Sequence, residues 1–143
     1  MTPSDSAAED FANGFNCAQS VFAACGPAAG VDRSTCLRLA APFGGGFGRL
    51  AEVCGAVSGA MLALGARYGA EADGGSEGKA RHYERVREFA RRFQARHGSL
   101  ICRELLGCDI STPEGREQAR ERDVHKTKCP QYVRDAVEIL ADL

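Results

Sequence analysis

The seven cysteines are the residues of this chain with the greatest capacity for chemistry. They are Cys17, Cys25, Cys36, Cys54, Cys102, Cys108 and Cys129. Because seven is an odd number, they cannot all pair in internal disulfides. The opening residues show neither a basic start nor an apolar segment, so we expect a cytoplasmic protein, in which thiols stay reduced unless chemistry uses them. The cysteine content therefore indicates metal binding or redox catalysis rather than disulfide bonds that stabilise the fold.

The cysteine spacing and the composition exclude several classes of protein. No Cys-x-x-Cys pair is present, so the thioredoxin motif, the usual zinc knuckle and the covalent haem site are absent. The glycine run at residues 44–48 lacks the Gly-Lys-Ser/Thr end of a phosphate loop. A net charge of -1 and an aromatic content of 7% without Trp argue against a nucleic-acid binder. The longest nearly apolar stretch, residues 53–66, is too short for a membrane span.

The apolar pattern predicts the elements that must position these cysteines. Strand signals are missing, and apolar residues recur at helical spacing. We therefore expect an all-α fold, a single domain over residues 1–143 forming a bundle of about five to seven helices with a Gly-rich loop. The predicted helices span residues 5–25, 33–42, 50–68, 79–97 and 100–106, with further helices starting near 111 and 127, and a polar loop at 70–78.

Helix position separates the cysteines by expected role. Cys54 and Cys129 fall in the first turns of predicted helices, where free N–H groups and the positive dipole end lower a thiol pKa. We predict that these two are the catalytic thiolates. Cys25 and Cys36 lie on apolar faces and are expected to be buried hydrophobes. Cys108 follows a glycine in a turn and is expected to be more exposed.

Glycines in unfavourable places form a second signal. Gly55 and Gly59 lie inside a predicted helix, where each costs roughly 1 kcal/mol relative to alanine. Their presence indicates that another backbone or a ligand comes very close. We predict that they border a cofactor together with Gly45 and Gly46, whose loop could offer N–H groups to sulfur or an anion. The small-residue face could equally serve a homodimer.

Five segments of the chain resemble the C_GCAxxG_C_C family of redox-active proteins. They are NCAQ at residues 16–19, FGGGFG at 43–48, CGAVSGA at 54–60, CRELLG at 102–107 and CP at 129–130. The resemblance implies a redox function and assigns the family pattern to Cys17, Cys54, Cys102 and Cys129. A similar cysteine pattern in proteins related to split-Soret cytochromes implies an iron–sulfur site, although this chain has no haem-attachment motif.

Three hypotheses follow for the chemistry. In the first, Cys17, Cys54, Cys102 and Cys129 are metal ligands that hold an iron–sulfur cluster for electron transfer or redox sensing. In the second, the protein is metal-free and exchanges thiols with disulfides, with Cys54 or Cys129 attacking. In the third, it holds structural or sensory zinc, which His125 could join from four residues before Cys129. The sequence leaves open the redox partner, whether the protein is an enzyme, and the role of Cys108.

Overall fold

The computed structural model describes residues 1–143 and is all-helical, which confirms the predicted fold class. In chain order the helices are α1 (Pro3–Ala12), α2 (Cys17–Cys25), α3 (Arg33–Ala40), α4 (Gly44–Phe47), α5 (Gly55–Tyr68), α6 (Gly75–His97), α7 (Cys102–Leu106), α8 (Pro113–Arg122), α9 (Val124–Thr127) and α10 (Cys129–Ala141). Short 3-10 turns follow α2, α3 and α5. The only extended pairing is an isolated bridge between Val53 and Ile101.

Helix α2 lies at the centre of the bundle and packs against α1, α3, α5 and α10. Its contact with α5 is the closest, because glycines occupy the α5 side. A Cβ on Gly59 would lie 2.6 Å from the carbonyl oxygen of Ala18, and one on Gly55 would lie 3.0 Å from Cβ of Cys17. The helical glycines are therefore explained by the approach of another backbone.

The predicted helix over residues 5–25 is wrong, because the chain breaks between α1 and α2. Gly14 takes a left-handed φ of 106°, and Asn16 becomes the N-cap of α2. The Asn16 side chain accepts a hydrogen bond from the Gln19 N–H at 2.8 Å, while the Asn16 N–H donates to Oε1 of Gln19 at 2.9 Å. This reciprocal capping box makes Cys17 the first residue of a helix instead of a mid-helix residue.

Helix α5 begins five residues later than residue 50, where we expected it. The preceding chain, from Gly45 to Ala51, is mostly left-handed, and it includes Phe47 (φ 66°), Arg49 (φ 67°) and Ala51 (φ 60°). Side chains rarely adopt this conformation, and such strain persists only where surrounding contacts enforce it. The expected Gly-rich loop is thus a strained turn containing α4. The expected polar loop at 70–78 is wrong, because these residues lie in a 3-10 turn (Gly69–Gly74) and the first turn of α6.

Helices α6 and α10 cover the side of the core opposite α3. Phe89 and Phe93 of α6 are fully buried. On the outer face Arg87, Arg91 and Arg92 pair with glutamates of the same helix. Arg85 pairs with Glu71 and Arg96 with carboxylates of α10. Arg91, for example, lies 2.7 Å from Glu84. The basic run at 79–96 is therefore a solvated, charge-paired face. None of the helices combines the length and the apolar character needed to cross a bilayer.

Candidate cysteine site

Four cysteines meet at one pocket, and each stands at the N-terminal end of a different helix. Cys17, Cys102 and Cys129 are the first residues of α2, α7 and α10, and Cys54 is the N-cap of α5. All four line a cavity of about 1070 Å³. Four helix N-termini thus point their positive dipole ends at the same group of thiols.

Backbone pairing brings Cys54 and Cys102 together. The Cys54 N–H donates to the carbonyl of Leu100 at 2.8 Å, and the Cys102 N–H donates to the carbonyl of Glu52 at 2.6 Å. These hydrogen bonds flank the isolated Val53–Ile101 bridge. Two cysteines that are 48 positions apart therefore start their helices side by side.

The Cys129 sulfur has three neighbours that favour its ionised form. The adjacent Cys17 thiol stabilises the thiolate as a hydrogen-bond donor, Nδ1 of His125 lies 4.0 Å from the sulfur, and the Lys128 ammonium adds positive charge. Together they lower the pKa of Cys129 to about 6 against the opposing effect of burial. The interaction also raises the pKa of His125. At neutral pH Cys129 is therefore mainly a thiolate beside a cationic neighbour.

The other three thiols of the site stay protonated. The pKa of Cys17 is raised well above its ordinary value by its hydrogen bond to Cys129, by burial and by the charge of the neighbouring thiols. Burial raises the pKa of Cys54 to about 11, although the N–H groups of Ala56 and Val57 partly oppose it. Burial and the neighbouring sulfurs raise the pKa of Cys102 to about 12. The expected low pKa is thus confirmed at Cys129 and wrong at Cys54, where burial outweighs the helix N-terminus.

The remaining cysteines lie away from this group or point elsewhere. Cys25 ends α2 and is only partly buried, so its expected full burial was wrong. Its pKa is raised to about 11 by desolvation and by the charge of nearby Cys36. Cys36 is fully buried, as expected, and its thiol donates to the Val31 carbonyl at 3.4 Å. Cys108 is buried, so its expected exposure was wrong. Its thiol points to the Leu106 carbonyl at 3.7 Å.

The glycines predicted to border a cofactor divide into two groups. Gly45, Gly46 and Gly55 line the pocket. Gly59 does not, because it faces α2. Even at Gly46 the close neighbour is backbone: a Cβ there would lie 2.5 Å from the amide nitrogen of Glu52.

Comparison with known families places these cysteines in a wider group. The sequence model of a family described as "Putative redox-active protein (C_GCAxxG_C_C)" matches residues 15–143, a span that contains all seven cysteines. The chain belongs to the C_GCAxxG_C_C family. Membership indicates a redox-active protein, as the sequence analysis expected. No curated protein and no solved structure is detectably similar to the chain.

The site of this C_GCAxxG_C_C protein offers the donor atoms that an iron–sulfur cluster uses, but its side chains are not spaced to hold a single metal ion. Four thiols are the ordinary ligand set of such a cluster. No group of three or more His, Cys, Asp or Glu side chains is spaced to hold one ion. A [4Fe–4S] cluster binds one thiolate at each iron atom and a [2Fe–2S] cluster binds two, so the four ligands as a set lie further apart than the four ligands of one zinc ion.

Sequence reasoning missed a set of basic side chains around the pocket of this family member. We call them the basic rim: Arg49, Arg116, Arg120, His125 and Lys126. Their segments are far apart in the chain, so no local pattern groups them. The Tyr132 ring also lines the pocket, and its hydroxyl donates to the Leu105 carbonyl at 2.8 Å. Only His125 carried a signal, which was its spacing of four residues from Cys129.

Proposed function

We propose that this protein exchanges thiols with disulfides, with Cys129 as the attacking thiolate and Cys17 as the resolving thiol. The observation that carries the proposal is the arrangement of Cys129, which lines one open pocket together with Cys17 and has Nδ1 of His125 4.0 Å from its sulfur. A nucleophilic thiol, a second thiol within reach and space for a substrate are the parts that such an exchange requires.

The exchange would proceed in two steps. The Cys129 thiolate attacks one sulfur of a disulfide, which forms a mixed disulfide and expels the other half as a thiolate. That thiolate or solvent takes the Cys17 proton, and the Cys17 sulfur then attacks the Cys129 sulfur and expels the second half. The substrate disulfide is reduced by two electrons to two thiols, while Cys17 and Cys129 are oxidised to one disulfide.

The neighbours of each sulfur suit Cys129 to the attacking role and Cys17 to the resolving role. Cys129 is ionised at neutral pH, so it can begin the attack without a base. Cys17 has a raised pKa while Cys129 is a thiolate. Once Cys129 is held in a mixed disulfide, that negative charge is gone and Cys17 ionises more readily. The first step thus prepares the second, and His125 acts as a positioning residue that favours the initial thiolate.

The proposal is tested by stoichiometric reaction with a small disulfide under anaerobic, metal-free conditions. We expect two thiols to be released per protein, and Cys129→Ser to release none. Cys17→Ser should stop at a mixed disulfide on Cys129, which mass spectrometry detects. Cys25→Ala is the matched control because Cys25 lies at the opposite end of α2. A full yield of two thiols from the Cys129 variant would contradict the proposal.

A second candidate function is electron transfer or redox sensing by an iron–sulfur cluster. The convergence of Cys17, Cys54, Cys102 and Cys129 on one pocket favours it, since two of these thiols have no part in the exchange above. These four residues would hold the cluster, and Gly45, Gly46 and Gly55 would border it. The group would supply one-electron chemistry. Zinc remains a weaker proposal because of the ligand spacing.

Elemental analysis separates the candidates. The cluster candidate predicts visible absorption and stoichiometric iron and sulfide after anaerobic reconstitution, with loss of iron on changing any of the four cysteines to Ser. The exchange proposal predicts that thiol release is complete in the iron-free protein. Stoichiometric iron combined with no reaction of the iron-free protein would favour the cluster and reject the exchange.

A further inference from the structure

The pocket above the cysteines carries several basic side chains and no carboxylate. Each residue of the basic rim borders the cavity, and no Asp or Glu does. Arg49 and Lys126 have no carboxylate within ion-pair distance, since they make none of the salt bridges in the structure. Arg116 donates to the Ile110 carbonyl at 3.1 Å, which orients its guanidinium and leaves its charge uncompensated.

The acidic residues nearest to the rim do little to cancel this charge. Arg120 pairs with Glu117, which points away from the cavity, and Asp10 of α1 pairs with Arg33 at 2.7 Å. Asp123 precedes α9 and acts on His125 only as a minor influence on its pKa. The protein as a whole has a net charge of -1, so the positive charge at the pocket is local.

One residue of the basic rim, Arg49, lies on strained backbone. Arg49 has a left-handed φ of 67°, and its N–H donates to the Gly44 carbonyl at 3.1 Å. A non-glycine residue in this conformation costs about 1–3 kcal/mol unless its surroundings enforce it. The left-handed turn holds Arg49 beside the pocket, where the same turn also supplies lining glycines.

The cavity walls below the rim are apolar and deep enough for a small molecule. Phe11, Phe15, Leu105 and Ile110 contribute to the lining, and the volume of about 1070 Å³ is at the upper end of ordinary small-molecule sites. A ligand would therefore meet cationic groups at the mouth, apolar walls further in, and thiols among the lining groups.

We infer that the substrate class of this site is a small disulfide that carries carboxylate or similar anionic groups. The inference rests on the proposed exchange and names its substrate. The rim would bind the anionic ends while the disulfide sulfur reaches Cys129, and the released products would be two anionic thiols. Opposite charges also raise the encounter rate, an effect that weakens with added salt.

Three small disulfides of similar size and different charge test the inference. They are the dianion of dithiodipropionate, neutral bis(2-hydroxyethyl) disulfide and dicationic cystamine. We expect the oxidation rate of the iron-free protein, divided by the rate at which 2-mercaptoethanol reduces the same disulfide, to fall in that order by roughly tenfold or more from first to last, and the spread to shrink in high salt. Equal rates on this scale, or a faster reaction with cystamine, would overturn the inference while leaving the exchange itself intact.

A double variant, Arg49→Gln with Lys126→Gln, provides the residue-level control. We expect it to slow the reaction with dithiodipropionate several-fold more than the reaction with the neutral disulfide. An equal loss with both disulfides would indicate a structural defect and contradict the inference. Arg87→Gln is the matched surface control, because Arg87 lies on the solvated face of α6 and pairs with Glu84 at 2.8 Å.

Binding of adipate, a dicarboxylate without sulfur, separates the inference from the proposed function. Calorimetry should detect adipate binding to the wild-type protein and weaker binding to the double variant, whether or not any disulfide reacts. If no disulfide reacts while adipate binds, the proposed exchange is wrong and the anion-binding pocket is supported. If adipate does not bind and the three disulfides react alike, the anion-binding pocket is wrong.

Discussion

The two ends of helix α2 each carry a cysteine, and their environments differ in almost every respect. Cys17 begins the helix, beside the ionised sulfur of Cys129 and at the open pocket. Cys25 ends the helix, near the buried Cys36 and outside the pocket. Both ends therefore hold a pair of free thiols, but only the first pair has an imidazole neighbour, that of His125.

The difference shows what makes a thiol reactive in this fold. Burial raises the pKa of cysteines at both ends of α2. Only a hydrogen-bond donor and positive charge beside the sulfur reverse the effect, and Cys129 alone has both. Cys54 makes the same point within the pocket, because a helix N-terminus without a cationic partner does not overcome burial.

The largest expected effect is the contrast in alkylation rate between the two pairs. With pKa values of about 6 and about 11, Cys129 and Cys25 differ roughly 10⁴-fold in thiolate fraction at pH 7. The lower intrinsic nucleophilicity of an acidic thiol removes roughly half of that advantage on a logarithmic scale. We expect iodoacetamide to label Cys129 at least about tenfold faster, as measured by peptide mass spectrometry. Faster labelling of Cys25 than of Cys129 would contradict the claim that the Cys17–Cys129 pair holds the reactive thiol.

A glycine pair in α5 tests how the reactive end is positioned. Gly59→Ala places a Cβ against the Ala18 carbonyl of α2, so we expect it to lower the free energy of unfolding by about 1–3 kcal/mol. Gly65→Ala is the matched control in the same helix, because its Cβ would meet nothing within 4 Å. It should stabilise the protein by about 0.5–1 kcal/mol. Denaturant unfolding measures both, and similar values for the two variants would argue against a close α2–α5 contact.

The pH profile of Cys129 labelling sharpens the role of His125. In the wild-type protein the labelling rate should fall by half as the pH drops through about 6, because the thiolate is then protonated. In His125→Ala this midpoint should move upward by roughly one unit, since a stabilising partner of the thiolate is lost. Because folding lowers this pKa, the thiolate contributes most stability at alkaline pH and loses that contribution as the pH falls through about 6. An unchanged pH midpoint in His125→Ala would show that His125 does not stabilise the Cys129 thiolate.

The smallest expected effect concerns the opposite end of α2. Cys36→Ala should lower the free energy of unfolding by about 1–2 kcal/mol, because it removes a buried side chain and leaves a cavity. Thiol release with a small disulfide should remain complete in this variant. A loss of thiol release there, without unfolding, would mean that the second pair takes part in the chemistry.

The sequence predicted the all-helical fold because apolar spacing and strong stop signals, such as Gly26-Pro27, are local properties. It also placed Cys54 and Cys129 at helix N-termini, as the structure confirms. It missed the break before Cys17, since the capping box of Asn16 and Gln19 lies inside an otherwise helical pattern. The depth of burial at Cys54 and the assembly of the basic rim were beyond local reasoning, because both depend on which distant segments pack together.

The central claim is that Cys17 and Cys129 form one redox pair, and disulfide mapping tests it most directly. The iron-free protein is oxidised with one equivalent of dithiodipropionate, its remaining thiols are blocked, and its peptides are analysed without reduction. The account predicts one main cross-link, between the peptides that contain Cys17 and Cys129, with Cys25 and Cys36 recovered as blocked free thiols. A main cross-link between Cys25 and Cys36, or recovery of Cys129 as a free thiol, would contradict it.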